Sequence, residues 1–213
     1  ARVEHSEVEV SSLSSAGEPS LATPSFTDVL PSLAMNLRLS ERASVRLSAT
    51  QTLSRPEYRE LSPVLFREVI GADNVKGNPN LTRALIQNYD LRWELYPSRG
   101  EILSLGVFAK RFERPIERIY QGTSGTRIIT YVNAKSANNY GAEIELRKEL
   151  AGLSSALKTF SIAANATVMK STIEIDPTSG SITSASRKMV GQAPYVLNGG
   201  LTWTHPTAPA SAT

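Results

Sequence analysis

The chain has 213 residues, 23 Lys and Arg against 20 Asp and Glu, 40% apolar residues and no cysteine. A formal charge of +3 is too small to argue for nucleic acid, and no basic stretch carries the interleaved aromatics of single-strand binders. Missing thiols exclude disulfides, thiolate catalysis and Cys-based metal sites. No run approaches the roughly 18 apolar residues of a membrane helix, yet strands cross a bilayer with about 9 to 11 alternating residues, so a membrane is not excluded.

The N-terminal ARVEHSEVEV has no charged region leading into an apolar core, hence no secretory signal, and it reads as the middle of a strand over residues 3–11. A Ser/Pro-rich loop follows. Residues 32–50 then alternate strictly in two runs. Leu33, Met35, Leu37 and Leu39 share one face of the first run and Val45 and Leu47 one face of the second, with Ser40-Glu41-Arg42 as the turn. A long connection over 54–85 leads to strands at 86–96 and 101–112, joined by Pro97-Ser98-Arg99-Gly100. Another long connection, 113–138, precedes strands at 139–149 and 159–170, joined by the short LAGLSSALK. A third, DPTSGSITSASRKMVGQ, leads to a strand at 195–203, and HPTAPASAT opens a further turn.

Short and long connections therefore alternate, and every long one falls at the same end. That is the wiring of a transmembrane barrel, with tight periplasmic turns and longer extracellular loops. In the last strand Tyr195, Leu197, Gly199, Leu201 and Trp203 share a face. Eight steps of about 3.3 Å, tilted by roughly 40°, span on the order of 20 Å, close to an outer-membrane apolar band between two aromatic girdles. Phe160 to Val168 and Tyr140 to Leu146 repeat the pattern. The opposite faces carry Arg38, Arg46, Arg92, Glu94, Lys110, Glu143, Glu145 and Arg147. An Arg or Lys facing lipid costs about 2 to 4 kcal/mol at the midplane, so these charges belong in an aqueous lumen. The competing architecture is an extracellular β-sandwich adhesin, with the leucine rows packed between two sheets.

Residues 30–63, LPSLAMNLRLSERASVRLSATQTLSRPEYRELSP, and 77–97, GNPNLTRALIQNYDLRWELYP, resemble the C-terminal half of the barrel in TonB-dependent outer-membrane receptors. EILSLGVFAKRFERPIER, VNAKSANNYGAEIELRKEL and GQAPYVLNGGLTW are similar to successive later segments of that barrel. The resemblance implies an all-β fold, an antiparallel up-and-down transmembrane β-barrel present as a partial barrel of about eight strands. Residues 1–213 would form a C-terminal portion of that barrel, since complete members carry a plug and about twenty-two strands. A self-contained eight-stranded barrel is the alternative. The resemblance further implies the outer membrane of a Gram-negative bacterium, contact with its lipid, a monomeric barrel, and uptake of a small nutrient such as a siderophore, haem, cobalamin or a glycan. Coupling to the TonB complex would run through an N-terminal region outside these residues.

Some of the same residues have independent physical reasons. Pro56 and Pro79 cannot donate to a ladder and mark where strands leave the sheet, and Gly141 suits a crowded inward row. No enzyme is expected. His5 and His205 lie at opposite ends without Cys or carboxylate partners at ligand spacing, and GTSGT at 122–126 is a loop tip rather than a nucleophile elbow. Glu143 and Glu145 share a face, but Arg147 beside them suggests a satisfied ion network. No cofactor or metal site is expected either. The segment KRFERPIERIYQGTSGTR would carry Lys110, Arg111, Arg114, Arg118, Tyr120 and Arg127 into an extracellular loop, where arginines attract an anionic chelate or lipid phosphates. Glu113 and Glu117 are interleaved, so a self-paired, solvated loop is the simpler expectation. Arg55, Tyr58 and Arg59 are the other loop-base candidates for ligand contact.

Overall fold

A computed structural model describes residues 1–13, 17–67, 69, 73–123, 126–179, 184–205 and 211–212. In chain order the first strands are β1 Arg2–Glu7, β2 Val10–Leu13, β3 Pro19–Ala22, β4 Ser25–Leu30, β5 Ser32–Arg38 and β6 Ala43–Ser54. Helix α1 Tyr58–Leu61 is a single turn, followed by β7 Leu65–Arg67, β8 Asn74–Lys76, β9 Ala84–Leu95 and β10 Ile102–Glu113. Then come β11 Ile116–Thr123, β12 Thr126–Asn133, β13 Ser136–Glu149, β14 Phe160–Glu174, β15 Ser186–Arg187, β16 Tyr195–Thr204 and β17 Ser211–Ala212. Two short 3-10 turns, Leu150–Gly152 and Ser155–Leu157, carry the chain from β13 to β14. Among the described residues no helix is long and apolar enough to cross a membrane.

One antiparallel sheet dominates, in the order β17-β16-β14-β13-β10-β9-β6-β5, with β15 on the edge of β14. Eight strands thus lie along the path, and sequential strands are neighbours throughout. The sheet is open: among the described residues β5 does not pair with β16 or β17. Its register fixes both faces. One row runs Leu37, Val45, Trp93, Leu105, Ile144, Ala166 and Leu197 from β5 to β16. The next outward row toward the long-loop end is Met35, Leu47, Leu91, Val107, Ala142, Val168 and Tyr195. These rows lie bare, Leu197 at 69%, Val107 at 53% and Leu37 at 49% exposure. Among the described residues no second sheet covers them, so the sandwich alternative lacks the one feature it required. So much contiguous apolar surface is far more than a water-facing protein usually exposes, and it matches the outward band of a transmembrane barrel.

The apolar band has a visible upper limit. Two pairs above the row of Met35, the outward positions become Gln51, Gln87, Arg111, Asn138 and Thr172. Tyr89 and Tyr140 sit in the row just beneath, 51% and 50% exposed. Polar side chains thus begin where tyrosines end, the order expected at a lipid–water interface.

Beyond that limit the connections are not loops. The region read as a Ser/Pro-rich loop is an antiparallel ribbon, β1 on β4 and β2 on β3. The connection over 54–85 holds α1, β7 and β8, and that over 113–138 holds the β11–β12 hairpin. These segments form a four-stranded sheet, β11-β12-β8-β7, whose β12–β8 pair is parallel. Its faces bury two small cores. Ala22, Leu61, Val75, Leu81 and Tyr131 form one; Ile119, Ala134, Ala137, Ile173 and Ile175 form the other. The second explains a change of pattern on the main sheet, where the inward face turns from charged to apolar at Phe112, Ala137 and Ile173. There the hairpin folds over it.

Candidate functional site

The inward face of the main sheet is polar in the span that the apolar band covers. Glu94 is 3% exposed and collects four donors: Arg46 Nε at 3.0 Å, Arg92 Nε at 3.0 Å, the Tyr96 hydroxyl at 2.9 Å and the Ser44 hydroxyl at 3.2 Å. Arg92 also donates to Glu145 Oε2 at 2.5 Å. In register, Ser104 lies between Glu94 and Glu145, fully buried, its Oγ without a partner among the described residues. Ser48 donates to Asp90 at 3.1 Å and Asn198 to Asn165 at 2.8 Å, extending the hydrogen-bonded wall. Glu145 is therefore satisfied across strands by Arg92. Among the described residues no ion pair joins Arg147 to Glu143 or Glu145, so the expected network with Arg147 is replaced by the cross-strand pair with Arg92. Gly141 is a packing requirement. A Cβ there would lie 2.7 and 2.9 Å from the Phe108 ring and closer still to the Val168 carbonyl.

Three of the seven candidates, Arg118, Tyr120 and Arg127, lie on the loop-level sheet. Strand alternation places Arg118 and Tyr120 of β11 with Tyr131, Ile129 and Arg127 of β12 on one face. Arg118 stacks over Tyr131 at 5.8 Å, Arg127 over Tyr120 at 4.9 Å and Arg59 over Phe66 at 5.6 Å, each within cation–π range. Asp73 approaches Arg127 at 3.7 Å. Tyr58 is 70% exposed at the start of α1. The structure thus gathers Tyr58, Arg59, Arg118, Tyr120 and Arg127 into one region of the loop end. It does not bring in Arg55, which ion-pairs with Glu4 at 2.6 Å on the β1–β4 ribbon. Arg114 is also separate, a left-handed residue at φ 53 in the β10–β11 turn, 3.4 Å from Glu113. Glu117, read as a partner for its own loop, is 7% exposed and receives Arg187 at 2.7 Å instead. Lys110 and Arg111 remain in β10 on opposite faces rather than entering the loop.

Helix α1 is held locally. Glu57 and Glu60 form a capping box, Leu61 plugs the small core, and Gly77 packs against the carbonyls of Arg59, Glu60 and Ser62, leaving no room for a side chain. Burial raises the Glu60 carboxyl above the usual carboxylate range, opposed by the Glu57 amide. Asn78 donates to the Tyr131 carbonyl at 3.0 Å and accepts from the Asn80 amide at 3.0 Å. Beside it lies a polar groove of about 420 Å³ lined by Ser20, Lys76, Asn78, Gln121, Thr130 and Tyr131 among others. Sequence reasoning passed over Lys76, Gln121 and Thr130 because they belong to strands hidden inside connections. The alternation in RIITYVN was the available signal. Residues 124 and 125 of the expected loop tip lie outside the described residues; β11 ends and β12 begins on either side of them.

His5 accepts or donates at Nδ1 with the Thr27 hydroxyl, 2.9 Å away, and His205 stands edge-on to Trp203. Among the described residues no group of three His, Cys, Asp or Glu could hold a metal ion.

The family model for TonB dependent receptor-like β-barrels matches residues 1–211. The chain belongs to that family. Solved structures agree on the fold of this TonB-dependent receptor barrel. The siderophore receptor PirA of Pseudomonas aeruginosa superposes with a TM-score of 0.57 at 21% identity, over 86% of this chain and 31% of that one. A variant of the P. aeruginosa ferric enterobactin receptor PfeA, in complex with enterobactin, gives 0.55 at 20% identity over 86% and 28%. The Serratia marcescens hemophore receptor HasR, in complex with HasA and heme, gives 0.63 at 12% identity over 94% and 36%. The chain spans about a third of the length of these structures. No curated protein matches it by sequence.

Proposed function

We propose that residues 1–213 are a C-terminal portion of the barrel of an outer-membrane receptor that imports a scarce nutrient, with its plug and TonB-coupling segment upstream. The observation that carries this is the register of the main sheet, with uncovered leucine rows outward and a hydrogen-bonded ionic wall inward, in a chain of this family. The wall is passive. Its role is to enclose an aqueous path, while the loop-end structure contacts the ligand and the upstream plug gates it. The complete receptor works as a monomeric barrel in outer-membrane lipid and as a transporter, not an enzyme.

An iron chelate or haem is the favoured cargo, by likeness to receptors whose structures carry such ligands. Arg59, Arg118, Arg127, Tyr58 and Tyr120 suit an anionic ligand with planar groups, since a guanidinium edge can still donate while its face rests on a ring. The test is uptake of radiolabelled ferric siderophore or haem by cells carrying the complete receptor, with and without a working TonB system. Accumulation should require both receptor and energy coupling. Equal uptake without TonB would remove the coupled-import reading.

A further inference from the structure

The β11–β12 hairpin lies between the two small cores, and strand alternation assigns its faces. Ile119 and Val132 meet Ala137 and Ile173 of the main sheet and Met189, while Tyr131 and Ile129 belong with Leu61 and Val75 on the other side. Glu117 shares the face of Ile119 and Val132, so a carboxylate is carried into the contact with the main sheet and is 7% exposed there. The donor that meets it is Arg187, whose Nη2 stands 2.7 Å from Glu117 Oε1. The same nitrogen lies 3.4 Å from the Arg118 carbonyl, and Nη1 donates to the Lys188 carbonyl at 3.3 Å.

Arg187 is itself fastened to the barrel. It stands in β15, in register with Ile173 of β14, and the backbone on either side of it is tied to the same strand. The Ile175 amide donates to the Ala185 carbonyl at 2.8 Å, the Met189 amide donates to Ser171 Oγ at 3.1 Å, and the Met189 side chain enters the core beneath the hairpin. A guanidinium is a rigid planar fork that serves a carboxylate and a carbonyl together, which a lysine ammonium does less well. Successive residues of a strand point to opposite sides, so holding Glu117 against the wall turns Arg118 and Tyr120 to the other face, beside Arg127.

We infer that Arg187 is a positioning residue for ligand capture: from β15 it fixes the hairpin through Glu117 and the Arg118 carbonyl, and so sets where Arg118, Tyr120 and Arg127 stand. The cation–π contacts of Arg118 and Arg127 lie within the hairpin, on Tyr131 and Tyr120, and travel with it. The Glu117–Arg187 pair is what joins that unit, as an ionic contact, to a strand of the barrel wall. One connection therefore aims ligand contacts that belong to another.

This inference deepens the import reading and rests on it for the ligand, so two measurements are made on the complete receptor in detergent. Hydrogen exchange of the unliganded protein reads the hairpin, and equilibrium titration with haem and with a ferric tris-catecholate reads capture. Arg187→Gln leaves Glu117 buried without its cation, so the docked hairpin becomes a minor state; a docked fraction of about one in ten raises the apparent Kd about tenfold. Amide exchange in β11 and β12 should rise by a similar factor while β13 and β14 stay unchanged. Arg187→Lys keeps the charge without the fork and should recover part of the loss. Glu117→Gln combined with Arg187→Gln should bind no worse than Arg187→Gln alone, since no charge is then left without its partner, and Lys188→Gln should match the parent. In cells, the KM of uptake should rise with the maximal rate unchanged, a split that general damage to the barrel would not give. Unchanged affinity for a probe that the parent receptor binds, or faster exchange that extends into β13 and β14, would overturn the positioning role. Binding of neither probe by the parent would remove the favoured cargo, and exchange in the hairpin would then decide by itself whether Arg187 fixes it.

Discussion

Adjacent residues in the middle of β10 offer a direct measurement of which face meets lipid. Leu105 is outward, in register with Trp93 and Ile144, while Gly106 is inward, in register with Arg92 and Glu143. An arginine at Leu105 would enter the centre of the apolar band and cost about 2 to 4 kcal/mol, a change in the folding constant of the order of a hundredfold. An arginine at Gly106 would enter the lumen. Its Cβ would meet only Glu143 Cβ and the Leu91 carbonyl, both at 3.8 Å, which is ordinary contact. Its charge would face Glu143, and removing a strand glycine recovers about 0.5 to 1 kcal/mol of backbone entropy. Gly106→Arg should therefore be neutral within about 1 kcal/mol while Leu105→Arg is not. Reversible guanidinium unfolding of the complete receptor in lipid vesicles, followed through the chain's tryptophans, Trp93 and Trp203, gives both numbers. Equal costs, or a larger cost at Gly106, would refute the assignment of faces.

Gly77→Ala should unseat α1, since the new Cβ would lie 2.5 and 2.7 Å from the Arg59 and Glu60 carbonyls; protease cleavage near Tyr58 should rise while barrel folding persists. Gly141→Val should cost about 1 to 3 kcal/mol by overpacking against Phe108, with partial rescue by Phe108→Ala in the same unfolding assay. Arg92→Gln should destabilise by about 1 to 2 kcal/mol, because Glu94 is left buried with fewer donors; Ser104→Ala, whose hydroxyl has no partner among the described residues, should be neutral or better. Asp176, beyond β14, is held below the usual carboxylate range by the Thr178 amide and hydroxyl. A depressed carboxyl stabilises above its ordinary value and loses that contribution as pH falls through the depressed one, so Thr178 amide protection, corrected for intrinsic exchange, should drop at acid pH.

The membrane wall was legible because a strand's period of two writes each face into alternate residues. Leu33, Met35 and Leu37 against Asn36 and Arg38 allow one assignment in lipid and another in a sandwich, and the parity of loop lengths favours the first. The loop end was not legible for a reason equally physical. Segments such as NVK at 74–76 and LFR at 65–67 are three residues long, too short to show a period; they pair with each other, and the partner that ties NVK into the sheet, β12, is parallel and more than fifty residues away. Ligand candidates fared accordingly. Arg118, Tyr120 and Arg127 share a strand pair and came out together, whereas Arg55 was drawn off by Glu4, a contact across some fifty positions that no local pattern announces.

The arrangement of charge along the wall carries a further consequence for where a ligand can be held. Within the band the inward acids and bases largely satisfy one another: Glu94 takes four donors and Arg92 two carboxylates. Extracting any of these groups to bind a passing anion would sacrifice a charge-assisted bond in a buried setting, each worth roughly 1.5 to 3 kcal/mol. The loop-end arginines are different. Their faces rest on rings, a contact worth about 0.5 to 1 kcal/mol when exposed, and Arg127 also approaches Asp73 at 3.7 Å, so what a ligand would displace there is weaker than in the wall. On the proposed function, an anion would be held at the loop end and would pass along the wall below it without extracting a buried charge.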